Sequence, residues 1–209
     1  MTRFSDCLLD TNIFPSFIVS TDLTSLINTD DVRSDFINLR NKDPGIKRTN
    51  IHGWHSKPCS YDDGQFTLGT EFQHIKKIFD LTEEFVNDFL ESNHTNLFAD
   101  KIFSWLLENG PGAYNVIHNH GKLDLIGVYY VEVPKKSEGL TLVRTDAFTH
   151  TALCSSNGSK EFDSEFTIDA IVGRLYIIPG NLYHYVKPFD EEGYRRSIVF
   201  NINCSQNNV

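Results

Sequence analysis

The spacing of apolar residues changes near residue 96. Before it they recur mostly at helical intervals; after it, short strand-like runs follow one another between turn residues. From Asp22 to Asn41, Leu23, Leu26, Ile27, Val32, Phe36 and Ile37 fall on helical spacings, with Asp22 as a cap and the pair Asp30 and Asp31 able to open a second helix. Between Thr70 and Ser92, Phe72, Ile75, Phe79, Val86, Phe89 and Leu90 stand at i, i+3 and i+4 among charged residues. That pattern is the clearest amphipathic helix in the chain, with an apolar stripe for core packing and His74 on its surface. Ahead of both helices, IFPSFIV (13–19) is β-branched and aromatic with an early proline, the composition of a strand at a sheet edge. The stretch 43–58, broken by Pro and Gly, reads as loop with one short strand.

Beyond residue 96 the expected strands are 97–107, 116–120, 126–133, 139–144, 165–172, 174–179, 182–187 and 195–203. No helical stretch of useful length separates them, which argues for an antiparallel sandwich or barrel. The polar segment 155–160 is a loop. The expected architecture is therefore mainly β with N-terminal helices, a single domain over 1–209. Its first part, 1–95, is a strand and helical support, and 96–205 is the β core.

Composition narrows the classes. A chain 40% hydrophobic and 12% aromatic is that of a folded globular protein. Its longest apolar runs, 126–131 and 175–179, fall far short of the ~20 residues a membrane helix needs. Acidic residues interrupt the N-terminus where a secretory signal would be apolar. Cys7, Cys59, Cys154 and Cys204 are scattered without a C-x-x-C pair, which suits reduced thiols in a cytoplasm. With 28 acids against 19 bases and no basic block, nucleic acid is a poor partner.

The chemistry lies in three stretches. His118 and His120, in GAYNVIHNH, are two apart, so on an extended backbone both imidazoles leave one face, about 7 Å apart along the strand. His184 arrives much later, on a short strand after a Pro-Gly turn, and Arg195 follows eleven residues on. Neutral imidazoles suit Fe, Zn, Cu or Ni, and three of them can meet at a barrel mouth. Arg195 and Ser197 also share a strand face, and a guanidinium fork beside a hydroxyl suits a small dicarboxylate or keto acid. One of Tyr129 and Tyr130 must point inward. Taken singly, these residues also fit ordinary sheet packing and salt bridges. His52 and His55, flanking Trp54, fit a structural loop or a cavity entrance.

GAYNVIHNH, IGVYYVEVP, GRLYIIPGNLYHYVKP and RRSIVFN, in this order, together with IFPSFIV and TNIHGWHS near the start, resemble the 2-oxoglutarate- and Fe(II)-dependent oxygenase family that includes the prolyl hydroxylases. The resemblance implies a double-stranded β-helix, a jelly-roll or cupin-like barrel. It implies His118, His120 and His184 as Fe(II) ligands, with Arg195, Ser197, Tyr130 and Asn115 holding 2-oxoglutarate. In related oxygenases a carboxylate usually stands two residues after the first histidine; here that residue is His120. Either His120 or Asp124 is the third ligand. The implied reaction is hydroxylation of a small molecule or a peptide or protein, with 2-oxoglutarate and O₂ as co-substrates. The same residues also resemble the two cupin motifs, which would place His118, His120, Asp124 and His184 on a metal without 2-oxoglutarate. A third possibility is a binding module that keeps the barrel without its chemistry.

Overall fold

The computed structural model describes residues 16–62, 64–144 and 164–207. In chain order its elements are β1 (Val19–Asp22), α1 (Thr29–Lys42), β2 (Asn50–Ile51), β3 (Trp54–His55), β4 (Cys59–Asp62), β5 (Gln65–Phe66), and α2 (Gln73–Ser92) after one 3-10 turn. There follow β6 (Leu97–Asn109), β7 (Tyr114–His118), β8 (Leu125–Glu132), β9 (Leu140–Val143), β10 (Glu165–Thr167), β11 (Arg174–Pro179), β12 (Tyr183–Val186) and β13 (Arg195–Gln206).

The strands form two antiparallel sheets. The larger has eight strands, ordered β1-β11-β8-β13-β6-β4-β5 with β3 also on β6; the smaller has five, β10-β9-β12-β7-β2. Neither closes on itself. The arrangement is a double-stranded β-helix with the two helices packed on the larger sheet. Strands β1 to β5 all come from the first 95 residues, so that part extends both sheets as well as supplying the helices.

Two-residue alternation along β13 splits the interior. Ile198, Phe200 and Ile202 are fully buried on the helix side, packed with Phe36, Ile75 and Phe79. Phe79 meets Phe200 edge to face at 6.0 Å. A second, smaller cluster, including Ile126, Tyr130, Tyr176 and Ile178, lies on the opposite face of the larger sheet. Each fully buried aromatic or aliphatic side chain on the helix side contributes roughly 1.5–3 kcal/mol of transfer free energy.

Several local expectations change. The first strand begins only at Val19; residues 13–15 lie outside those described, and β1 is indeed an edge strand, on β11. Asp22 caps no helix, because its Oδ1 accepts from both the N–H and the hydroxyl of Thr24, closing a turn. The helix starts at Thr29 instead, where the Asn28 side chain accepts from the Asp30 N–H and Asp30 and Asp31 fill the acidic first turn. His74 is half-buried rather than a surface residue, its ring 3.2 Å from Asp35 across the two helices. The expected strand 165–172 shrinks to β10, since Ile171 accepts from the Arg174 N–H in a turn. Cys59 and Cys204 are free thiols. Cys7, Cys154 and the polar loop 155–160 fall outside the described residues. Among the described residues no helix is long and apolar enough to cross a membrane.

Candidate metal centre and its cavity

β7 and β12 are antiparallel neighbours with His118 directly opposite His184, which brings the two rings to 4.4 Å between centroids. β7 ends at His118, so His120 is not on the extended strand its spacing suggests. It sits at the start of a turn, where its N–H donates to the Gly180 carbonyl and its own carbonyl accepts from the Leu123 N–H. The turn carries the ring toward the other two, 5.3 Å from His118 and 5.1 Å from His184. One ligand atom from each of the three histidines lies within 4.8 Å of the others.

The tautomers follow from the hydrogen bonds. Nδ1 of His118 donates to the Val116 carbonyl at 2.7 Å, Nδ1 of His184 to the Leu182 carbonyl at 2.9 Å, and Nδ1 of His120 to Asn201 Oδ1 at 2.5 Å. Each Nε2 is thereby left with its lone pair, the form a metal requires. Burial lowers all three pKa values, to about 4 for His120 and about 3 for His184. At neutral pH the imidazoles are uncharged and do not repel a cation. Asp124 takes no part in this group: its carboxylate accepts from the Cys204 N–H at 2.8 Å.

The three rings open on a cavity of 420 Å³ between the two sheets. Its floor is the alternate face of β13 and of the strands beside it. Arg195 pairs with Asn109, Ser197 with Leu107 and Tyr130, Val199 with Trp105 and Val128, and Asn201 with Phe103 and Ile126. Arg195, only 4% exposed, closes one end. Its Nη1 donates to Ser137 Oγ at 3.0 Å and the Glu138 carbonyl at 2.9 Å, its Nη2 to the Lys187 carbonyl at 3.1 Å, and its guanidinium lies over the Phe189 ring. With its oxygen turned toward Arg195, the Asn109 amide also accepts from Nη2 at 3.2 Å. Every one of these partners is neutral. Burial lowers the Arg195 pKa to about 10, so it remains a cation at neutral pH, and no carboxylate among the described residues balances it. A buried charge held only by neutral dipoles is costly alone and favourable with an anion.

The other expected residues converge on the same end. Tyr130, and not Tyr129, faces the cavity; its hydroxyl accepts from the Leu140 N–H at 3.1 Å, and burial raises its pKa to about 12, so the phenol keeps its proton to donate. Tyr129 points to the helix side, where its hydroxyl is buried with no partner among the described residues. Ser197 lines the cavity and its hydroxyl makes no hydrogen bond to the described residues. The Asn115 amide lies 3.0 Å from that of Asn109 and 3.4 Å from the Thr49 hydroxyl.

Comparison with known proteins finds a likeness over the part of the chain that carries this geometry. Residues 103–201 match the model of the family described as "Putative 2OG-Fe(II) oxygenase", 2OG being 2-oxoglutarate. The chain resembles the 2-oxoglutarate oxygenases. That family is defined by Fe(II) and 2-oxoglutarate, and the matched span holds all three histidines, Arg195 and Ser197. No curated protein matches the chain. Among solved structures, a Pseudomonas putida prolyl-4-hydroxylase is 15% identical, with 91% of this chain and 93% of that one covered and a TM-score of 0.56. A Trichoplax adhaerens prolyl hydroxylase in complex with a hypoxia inducible factor peptide fragment is 14% identical, covering 89% and 83%, with a TM-score of 0.58. HygX from Streptomyces hygroscopicus, with nickel, 2-oxoglutarate and hygromycin B bound, is 10% identical, covering 90% and 83%, with a TM-score of 0.53. These likenesses show a shared fold.

Trp105, Asn109 and Asn201 line the cavity and escape notice in the sequence, whereas His55 reads there as a residue of a structural loop or a cavity entrance. His55 stacks on Trp105 at 5.4 Å and 4°, and Trp105 stacks on His120 at 5.9 Å and 14°. His55 thus lines the cavity as well as serving its loop. Asn109, Trp105 and Asn201 could have been found by extending the two-residue alternation from Arg195 and Ser197 and across to β6, had the pairing of those strands been known.

Proposed function

We propose that the protein is an Fe(II)- and 2-oxoglutarate-dependent dioxygenase that hydroxylates a C–H bond of a small molecule or peptide. The observation that carries this reading is Arg195, a buried cation balanced by no carboxylate among the described residues, in the same cavity as three histidines whose ligand atoms, one from each, lie within 4.8 Å of one another. Both halves of the donor set fit the groups they would hold. His118, His120 and His184 offer three neutral nitrogen ligands on one side of a metal, leaving its other positions free. Arg195 offers its charge to the far carboxylate of 2-oxoglutarate, and Ser197 and the Tyr130 phenol each have a proton to donate toward it; Asn115 holds the wall beside Asn109.

When bound, Fe(II) would activate O₂ as the four-electron oxidant, two electrons coming from 2-oxoglutarate as it loses CO₂ to give succinate and two from the C–H bond as it becomes C–OH. The chain's own residues bind, orient and exclude water. Asn201 and two backbone carbonyls hold the imidazole tautomers, and Ile126, Val128 and Val199 keep the middle of the floor apolar. We read residues 1–209 as one such unit. Free Cys59 and Cys204 favour a reducing cytoplasm as its place.

The cupin reading needs Asp124 on the metal, and that carboxylate is engaged by the Cys204 N–H. Anaerobic titration with Fe(II) and 2-oxoglutarate, followed by the visible charge-transfer band and the thermal midpoint, tests the proposal. A band that forms in the wild type and is lost in both His184→Ala and Arg195→Ala supports it. Metal binding indifferent to 2-oxoglutarate would favour the cupin reading, and no metal binding would leave only a binding module.

A further inference from the structure

Arg195 is not the only cation of the cavity without a carboxylate partner. The segment 46–49 is pinned between two elements. The Ile46 N–H donates to the His55 carbonyl at 2.8 Å, the Val116 N–H to the Thr49 carbonyl at 3.0 Å, and the Arg48 N–H to Asn50 Oδ1 at 2.8 Å. Arg48 is therefore fixed between β3, which carries His55, and β7, which carries His118. Its exposed side chain lines the cavity rim and pairs with no carboxylate among the described residues. Arg48 and His55 line the same cavity, and the Ile46 N–H bond to the His55 carbonyl holds the segment that carries Arg48 against β3. His55 Nδ1 is engaged by the Ser56 carbonyl at 2.6 Å, leaving Nε2 as an acceptor on a ring that lines the same wall.

From this rim the wall runs inward as flat surfaces, His55 on Trp105 and Trp105 on His120, with Phe103 next to Trp105 at 6.3 Å. The cavity thus has a buried cation at one end, a second cation at its rim, and an aromatic wall that leads from the rim to the histidines. In a chain of net charge -9, a fixed cation that no acid neutralises draws anions to that spot against the overall field.

We propose that Arg48 is the substrate head-group site, and that the substrate is a small organic anion, a carboxylate or phosphate ester, whose flat apolar body lies along His55, Trp105 and Phe103. This assignment rests on the oxygenase reading for its meaning, since it makes Arg195 the co-substrate's anchor and Arg48 the substrate's. The binding site itself can be tested apart from it.

The experiment measures binding of phenylacetate, phenyl phosphate and the uncharged phenylacetamide through the indole N–H resonance of Trp105. The protein is used both metal-free and loaded with Ni(II) and 2-oxoglutarate. At least one anion should bind about tenfold tighter than the amide. The preference should vanish in Arg48→Gln, survive in Arg48→Lys, and survive in metal-free Arg195→Gln. Tighter phenylacetate marks a carboxylate substrate and tighter phenyl phosphate a phosphate ester. Absence of binding, equal binding of anion and amide, a preference that outlasts Arg48→Gln, or one that is lost with Arg195→Gln overturns the assignment. If 2-oxoglutarate itself fails to load, the oxygenase reading falls, and the metal-free titration still decides the fate of Arg48.

Discussion

Arg195 and Arg196 are neighbours on one strand and lie in opposite worlds. Arg196 faces the helix side, where it donates to Glu108 at 2.8 Å and to Glu132, while Arg40 on α1 reaches the same Glu108 at 3.1 Å. Its guanidinium stacks over Tyr194 at 4.6 Å. Arg195 faces the cavity and meets only neutral oxygens. Both are buried, at 4% and 9% exposure, so burial does not distinguish them. What distinguishes them is compensation: one charge is satisfied within the fold and ties a helix to a sheet, and the other is arranged to be satisfied by something that arrives.

The largest consequence of that difference falls on stability. Arg196→Met leaves Glu108 buried with one weak partner and should cost about 3–5 kcal/mol in urea denaturation, while 2-oxoglutarate binding to the folded fraction stays near wild type. Arg195→Ala should do the reverse, weakening 2-oxoglutarate about 100-fold by calorimetry, or about 2.7 kcal/mol, with a smaller stability loss than Arg196→Met. Equal stability losses in the two variants would erase the contrast.

The histidines extend it to pH. Their folded pKa values, about 4 for His120 and about 3 for His184, lie below the ordinary 6.5, so the unfolded chain binds more protons in the interval between. Stability of the metal-free protein is then fully present above pH 6.5. It is lost as pH falls toward 4 and 3, by about 1.4 kcal/mol per pH unit for each imidazole. A flat urea midpoint between pH 7 and 5 would contradict this. Asn201→Ala removes the one side-chain acceptor among the three that orient the imidazoles, and should weaken metal binding about 10- to 100-fold; Ni(II) titration reads it directly.

The smallest effect sharpens the comparison on the adjacent strand. Tyr129→Phe deletes a buried hydroxyl that has no partner among the described residues and should be neutral or stabilising by up to about 1 kcal/mol. Tyr130→Phe deletes the acceptor of the Leu140 N–H and should be destabilising by about 1 kcal/mol, with weaker 2-oxoglutarate binding. The two phenols, like the two arginines, differ only in the face on which they emerge.

The strands were legible because a two-residue alternation and turn residues leave a clear mark, and α2 because its stripe is long. Strand β11 falls on residues 174–179, as its pattern predicts, and α1 opens where Asp30 and Asp31 suggest. The failures are local competitions. Asp22 could cap a helix or close a turn on Thr24, and only the pairing of β1 with β11 fixes it as the end of a strand. His120 had the spacing of a strand residue, yet β7 ends at His118, and His120 opens a turn in which its N–H donates to the Gly180 carbonyl and its carbonyl accepts from the Leu123 N–H.

By itself the chain determined which side chains could ligate a metal and grip an acid, since imidazole, guanidinium and hydroxyl chemistry belongs to residue type, and strand alternation places Arg195 and Ser197 on one face. It also marked the helices before residue 96 and the run of strands after it, although β1 to β5, from the first 95 residues, extend both sheets. Only the tertiary structure decided that His120 joins the group and Asp124 does not, that Tyr130 faces the cavity, and that Arg195, unlike Arg196, meets no acid among the described residues. It also decided that His55, Trp105 and Arg48 share a wall with the histidines. Those outcomes depend on which strands become neighbours and in what register, and register is a property of the whole sheet, set by contacts between residues far apart in sequence, as far as Val19 and Ile177.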